Sequence, residues 1–258
     1  MSSKLVSRRV HTDTGALSLL ITNYAFSLIT LVMINSHSIN VARLVLTTAL
    51  AALNIVSLVK AHLGLISRRG LRDYSLFLIN TAPYLALIPY LGIWLVIPPL
   101  VPLALFIVEI VRGRGRSVLA NVSGTALIAS TYLAWYVLMG GNLVFKVIMA
   151  SLTWIIYHAF SALYVEGKLP FRQGIKPHYS SLLWFMGLPA LAYGIYIVGG
   201  LLPLIVLIEP TIRALIAVRE DKLPMNDLRR RVRRIGVELL IESLVLAGLI
   251  LILLYALA

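Results

Sequence analysis

Two short stretches of the chain carry the side chains best suited to chemistry. The first, "NIVSLVKAH", holds Asn54, Lys60 and His62, and the second, "HAFSALYVEGK", holds His158, Glu166 and Lys168. Within an apolar run, an imidazole or a carboxylate is a functional-site candidate, able to relay a proton or to hold a polar head group or ion. At 1.5 Å of rise per residue, Asn54 and His158 each lie roughly 9 Å inside the end of an apolar helix, one turn or more above Lys60 and His62 or above Glu166. Together with His11 and Arg213 they form the set of candidate cavity or ligand-binding residues. No catalytic residue is assigned. No ligand spacing marks a metal site, and haem ligation fails because only His158 lies clearly within an apolar span.

Each of these residues also has a plainer role open to it. Histidine tolerates a membrane interface, and four of the five histidines fall on one side of the chain's predicted topology. Arg43 and Lys146 lie about one turn inside the opposite surface, where their long stems can carry the charge to water. Glu209 and Arg213 are four apart and can pair on one helix face, as can Arg234 and Glu238. Glu242 lies a turn deeper than Glu238 and has no such neighbour. Glu109 is within a turn of Arg112.

The elements that must position these groups are set by composition. The chain is 60% hydrophobic and 13% charged, with mean hydropathy +0.92 and no cysteine. A soluble domain is nearer 25% charged. Apolar runs of about 20 residues, the length of one helical bilayer crossing, recur from Thr14 to the C-terminus. They are continuous rather than alternating, so they are helices. Nine spans are predicted: 14–34, 39–59, 74–90, 92–111, 118–138, 143–164, 179–198, 201–218 and 235–257. The net charge of +13 would suggest nucleic acid in a soluble protein, but its distribution points elsewhere. Of the Lys and Arg residues, only Arg43, Lys146 and Arg213 lie within spans. The rest crowd into connections on one side, ending in "LRRRVRR". Basic connections stay in the cytoplasm, which predicts a multi-pass protein of the cytoplasmic membrane with its N-terminus inside and its C-terminus outside. The basic segments are then anchors that hold anionic lipid headgroups, each residue contributing about 1 kcal/mol. No nucleic-acid partner and no cofactor is expected, and the oligomeric state is left open.

The chain also repeats itself. "RDYSLFLINTAPYLALIPYLG" and "PHYSSLLWFMGLPALAYGIYIVGG" each open on Tyr-Ser and carry a proline about nine residues later, Pro83 and Pro189. Glu109 before Arg112 matches Glu209 before Arg213, and Asn40/Arg43 matches Asn142/Lys146. The series divides a single membrane domain, 1–258, into a first four-helix repeat (1–116), a second (117–234) and a ninth helix (235–258). Repeats of even helix number begin on the same side and are therefore parallel.

This layout of an all-α polytopic protein, two four-helix repeats plus one, resembles the UbiA superfamily of membrane prenyltransferases. In that family, catalytic aspartates at the cytoplasmic ends of helices two and six hold Mg²⁺ against a prenyl diphosphate. Here the corresponding series are Asn54, Leu58, His62 and His158, Ala162, Glu166, in which Asn54 alone matches outright and Glu166 matches in charge. The resemblance therefore implies a related scaffold without the metal–diphosphate chemistry. Three local stretches, "HTDTGALSLL", "RGRGRSVLANVSGTAL" and "YVEGKLPFR", resemble the YwiC-like family of membrane proteins.

These readings converge on a cavity open towards the cytoplasm for a lipid, isoprenoid or quinone, with Asn54 and His158 facing it together and the basic connections gripping a phosphate or carboxylate head. Two alternatives stand beside it: a small-solute transporter, with Pro98, Pro99, Pro102 and Pro210 breaking helices four and eight, and a structural subunit of a membrane complex.

Overall fold

The structure is a computed structural model that describes residues 14–35, 39–67, 70–91 and 97–257. Among these residues there are ten α-helices, one 3-10 segment and no strand. The helices are α1 (Thr14–Asn35), α2 (Val41–Ser67), α3 (Leu71–Leu91), α4 (Ile97–Val111), α5 (Val118–Ala129), α6 (Thr131–Leu138), α7 (Phe145–Lys168), α8 (His178–Gly199), α9 (Ile208–Arg219) and α10 (Leu228–Ala256). A 3-10 segment, Leu202–Leu207, leads into α9. Among the described residues six stretches are long and apolar enough to cross a membrane: Thr14–Ile34, Val41–Leu65, Val118–Leu138, Phe145–Lys168, His178–Gly199 and Leu228–Ala256.

The helices depart from the predicted spans at three places. Helix α2 runs on past residue 59 to Ser67, so Lys60 and His62 stand on helix rather than in a connection. The stretch 118–138 is interrupted at Ser130. There the Ile128 carbonyl accepts from the Asn23 amide of α1 at 2.7 Å and from the Thr131 hydroxyl at 2.8 Å, so side chains take over a backbone acceptor. The stretch 201–218 is not one helix. Pro203 shapes the 3-10 turn, and Pro210 lies in the first turn of α9, where a missing N–H costs nothing.

Helix α7 is the axis of the packing. Trp154, Tyr157, Phe160 and Tyr164 on it are almost fully buried; Phe160 meets Trp184 of α8 with ring centres 6.2 Å apart, and Trp154 meets Phe26 of α1 at 5.0 Å. The outward surface is the reverse of a soluble protein's: Val45, Val56, Leu78, Met186, Tyr193 and Ile252 are all more than half exposed, a surface suited to hydrocarbon.

The two ends of the bundle differ. At one end three basic connections interlock. Arg172 donates to the Arg116 carbonyl at 2.7 Å, Lys222 donates to the Arg172 carbonyl, and Lys168 donates to the Asp221 carbonyl at 2.8 Å. Gly167 makes this closure feasible, because a β-carbon there would stand 2.7 Å from the Lys176 backbone. At the other end the exposed Arg43 and the partly exposed Lys146 each reach a helix C-terminus. Arg43 donates to the carbonyls of Leu138 (2.9 Å) and Val137 (2.7 Å), closing the C-terminus of α6. Lys146 donates to the Leu257 carbonyl at 2.9 Å, closing the C-terminus of α10. The last carbonyls of a helix have no partner within it, and a cation there also meets the negative end of the helix dipole.

Candidate functional site

A cavity of about 370 Å³ opens at the basic end, among α1, α2, α5, α7 and α10. Helix α7 lines it with one stripe: His158, Ser161, Ala162, Val165 and Glu166, which recur at the spacing of a single helix face. Helix α10 does the same with Gly236, Leu239, Leu240 and Ser243, and α5 with Asn121, Thr125 and Ile128. Gly15 to Thr22 of α1 and His62 of α2 complete the wall.

His158 is 9% exposed, and its Nε2 has no hydrogen-bond partner. The Trp154 ring meets it edge to face at 4.3 Å and Tyr157 at 5.4 Å, which fixes the imidazole. Glu166, by contrast, is fully engaged. Asn121 donates to it at 2.6 Å, and Arg172 pairs with it at 2.6 Å. His62 stacks on Phe106 at 5.2 Å and lies against Gly124, where a β-carbon would come within 2.7 Å of its Nε2. Gly124 is thus what admits the imidazole to the cavity wall.

The remaining sequence candidates lie elsewhere. His11 falls outside the described residues. Lys60, two residues before His62, projects from an exposed face of α2 and does not line the cavity. Asn54 does not line it either, which corrects the expectation that Asn54 and His158 face one space. Its amide donates to Asn80 at 2.7 Å, and its carbonyl accepts from Tyr84. Asn80 bonds Ser57 in turn, and Trp135 donates to Tyr84 at 2.7 Å. This closed network joins α2, α3 and α6.

Arg213 belongs to a second site. It pairs with Glu242 of α10 at 3.5 Å, and its guanidinium lies 4.6 Å over the Tyr164 ring. Glu209, Arg213 and Glu242 line an open groove of about 510 Å³ with Ile205, Ile208, Ile212, Ile216 and Leu249. The pairing resolves Glu242, which sequence left without a neighbour: α9 and α10 bring it an arginine from 29 positions away. Arg234 and Glu238 pair at 3.0 Å along α10, as their spacing predicts. A third site is a surface cleft of about 450 Å³ at the basic end, where Lys168, Arg230, Arg231 and Arg234 meet Glu220, Asp227 and Glu238.

Sequence reasoning missed Asn121, Ser161, Ser243 and Asn23. Asn23 is fully buried and joins Trp154 (2.8 Å), Thr131 and Ile128. Nothing in an isolated apolar helix marks which of its small polar residues will meet a partner a hundred positions away. Among the described residues no cluster of three or more His, Asp or Glu could hold a metal ion.

Fold and surface together define an α-helical membrane protein with a cavity of mixed polar and apolar lining at its basic end. No protein-family model, curated protein or solved structure matches the chain.

Proposed function

We propose that this is a membrane amphiphile-binding protein, in which the head group of a lipid, isoprenoid or quinone lodges in the His158 cavity. The observation that carries the reading is His158 itself: it lines that cavity, and its buried Nε2 has no hydrogen-bond partner. Buried polar atoms in native proteins nearly always have a partner, so an imidazole with an unmet nitrogen beside a cavity is a place for a ligand to be held. Ligand pockets span roughly 300–1,000 Å³, and about 370 Å³ suits a head group with its tail leaving between helices. The test is native mass spectrometry of gently purified full-length chain. The wild type should carry an amphiphile that His158→Leu loses and Asn54→Leu keeps. Equal retention by all three ends the proposal.

The scaffold we infer is the UbiA-like one, with nine crossings in two four-helix repeats plus one, the basic end in the cytoplasm and YwiC-like proteins as relatives. Two observations support it. Interlocked basic connections at one end suit the cytoplasmic side of a cytoplasmic membrane, where anionic headgroups meet the basic cleft. The capping pattern also recurs: Arg43 at the start of the second span closes the fifth, and Lys146 at the start of the sixth closes the ninth. A shift of four spans carries one contact onto the other. A reporter fused after Ala258 should lie outside, and a cytoplasmic signal removes at least one crossing.

A transporter is the second reading, favoured by the passage from 3-10 turn to α-helix at residues 207–208, with Glu209 and Arg213 just beyond it. Broken helices beside buried charges mark many transport sites. Substrate-dependent flux in liposomes that falls with Glu209→Gln and not with His158→Leu would favour it over the first.

A further inference from the structure

A second open face lies away from the His158 cavity, in the groove that Glu209, Arg213 and Glu242 line. Helix α9 packs on α8 and touches α10 far less. On the α8 side, the Ser181 hydroxyl donates to the Ala214 carbonyl at 2.7 Å and the Trp184 indole to the Thr211 hydroxyl at 3.1 Å, and Ala214 and Ala217 are fully buried. The other face of α9 repeats every four residues, with Ile208, Ile212 and Ile216 each more than two-fifths exposed. Leu249 of α10 stands on the far wall, so a valley runs between the two helices.

The valley is apolar except at one level. There Arg213 pairs with Glu242 at 3.5 Å, and the Glu242 side chain is still 25% exposed. Glu209, one turn before Arg213, has no ion pair among the described residues. Two carboxylates thus stand beside one guanidinium. Glu242 comes eight residues after Arg234, roughly 12 Å along α10, and Glu209 ten residues before Arg219, roughly 15 Å along α9. A carboxylate left over at that depth is costly until a cation or a proton meets it.

A lipid amine stays with the head groups and does not reach that level. A second copy of this chain brings no match. Arg43 and Lys146, its other cations within spans, each close a helix C-terminus at the opposite end. An isologous pair would also set carboxylate against carboxylate. The ridge from Ile208 to Ile216 runs roughly 12 Å along α9. A helix lying alongside covers all of it, whereas a small organic cation would cover the charged level alone. Apolar side chains gain little on such a ridge over lipid, so charge is what selects the occupant.

We propose that the valley between α9 and α10 docks a transmembrane helix of a different protein, one that carries a lysine or arginine near the middle of its span and sets it against Glu242 and Glu209. Docking there is independent of any ligand in the His158 cavity.

The experiment places the full chain, with a donor dye attached beyond Ala258, in phosphatidylcholine vesicles with a synthetic Leu–Ala helix of about 23 residues that ends in tryptophans and carries an acceptor dye. Energy transfer reads their association. A helix with a central lysine should bind about tenfold more tightly than one with a central leucine, the worth of one polar contact between helices in lipid. A central glutamate, or a lysine moved to head-group level, should bind no better than leucine. Glu242→Gln should remove most of the lysine preference and Glu209→Gln should lower it. Ile212→Trp, which fills the valley and keeps the charges, should weaken the lysine helix too. Equal binding of the central lysine and leucine helices to the wild type overturns the proposal without recourse to any variant. Tetraphenylphosphonium binding that Glu242→Gln removes would then give the valley to a small cation, and no such binding would leave a protonated carboxylate. A lysine preference that survives both glutamine variants, or that the shifted lysine shares, also overturns it, because the cation then sits elsewhere. Transfer between two copies of the chain that Ile212→Trp abolishes would give the valley to a homodimer and overturn it as well.

Discussion

Asn54 and His158 are each the fourteenth residue of their helices, α2 and α7, and each is nearly or fully buried. The Asn54 amide is engaged through both its nitrogen and its oxygen: it gives a proton to Asn80, takes one from Tyr84, and the chain of bonds continues to Ser57 and Trp135. The His158 Nε2 has no partner, and the residue lies on the wall of the cavity. Two polar residues at one position along their helices thus do opposite work. A closed network binds helices together where lipid gives no hydrophobic drive to do so, whereas a group left open contributes nothing to that and is available to a ligand. Depth in the membrane therefore does not identify a site; the balance of donors and acceptors around a residue does.

If that balance is the right criterion, the largest loss of stability should come from the most connected closed residue. Asn23 serves three partners across α1, the 118–138 stretch and α7. Asn23→Leu would strand the Trp154 indole N–H and remove a tie to the Ile128 carbonyl, and should cost about 3 kcal/mol. Unfolding in mixed micelles would measure it, and a loss below that of Asn54→Leu would break the ranking by connectivity. Asn54→Leu itself should cost about 2 kcal/mol, because Asn80 keeps Ser57 of α2 and Tyr84 keeps Trp135, while the Tyr84 hydroxyl loses its acceptor. Bound amphiphile should survive that substitution once the protein is folded. Its loss in a folded Asn54→Leu protein would return Asn54 to the site.

What sequence made legible follows from the same distinction. Lipid demands about 20 apolar residues per crossing, a property of the chain taken one stretch at a time, so the six membrane-length stretches among the described residues could be read directly. The Arg234–Glu238 pair was legible because it lies within one helix. The partners of Arg43, Asn54 and Arg213 were not, because each depends on how one helix is rotated against another. A helix that is apolar all round carries no moment to fix that rotation. His158, Ala162 and Glu166 could be seen to share a face by spacing alone, but not that Asn121 and Arg172 would neutralise the glutamate. Pro210 was legible as a disturbance, yet not as the start of a new helix after a 3-10 turn.

The ion pair at the basic rim of the cavity allows a finer test. Glu166→Gln keeps an acceptor for Asn121 and removes the charge opposite Arg172. The pair lies near the end of the bundle, with Arg172 partly exposed, so the loss should be no more than about 1 kcal/mol and should shrink as salt rises. The connection 169–177 should be cut faster by protease, since Arg172 also anchors it to Arg116 and Lys222. Unaltered proteolysis together with a salt-independent loss would mean that the pair does not hold the rim.

The smallest expected change in stability is the most informative. His158→Leu removes a ring nitrogen that bonds nothing and replaces an imidazole with a side chain the surrounding apolar groups accept. The loss of edge-to-face contact with Trp154 and the relief of an unpartnered polar atom oppose each other, so the net effect should lie within about 1 kcal/mol of zero. That is well below the loss expected for Asn54→Leu, although the two residues are buried to a similar degree. Retained amphiphile should follow the reverse order, absent in His158→Leu and present in Asn54→Leu. If His158→Leu instead destabilises the chain as much as Asn54→Leu does in ligand-free protein, then His158 is a structural residue with a partner in the folded state. The contrast between a closed and an open polar group would then collapse, and with it the reason for placing a ligand at this depth of α7.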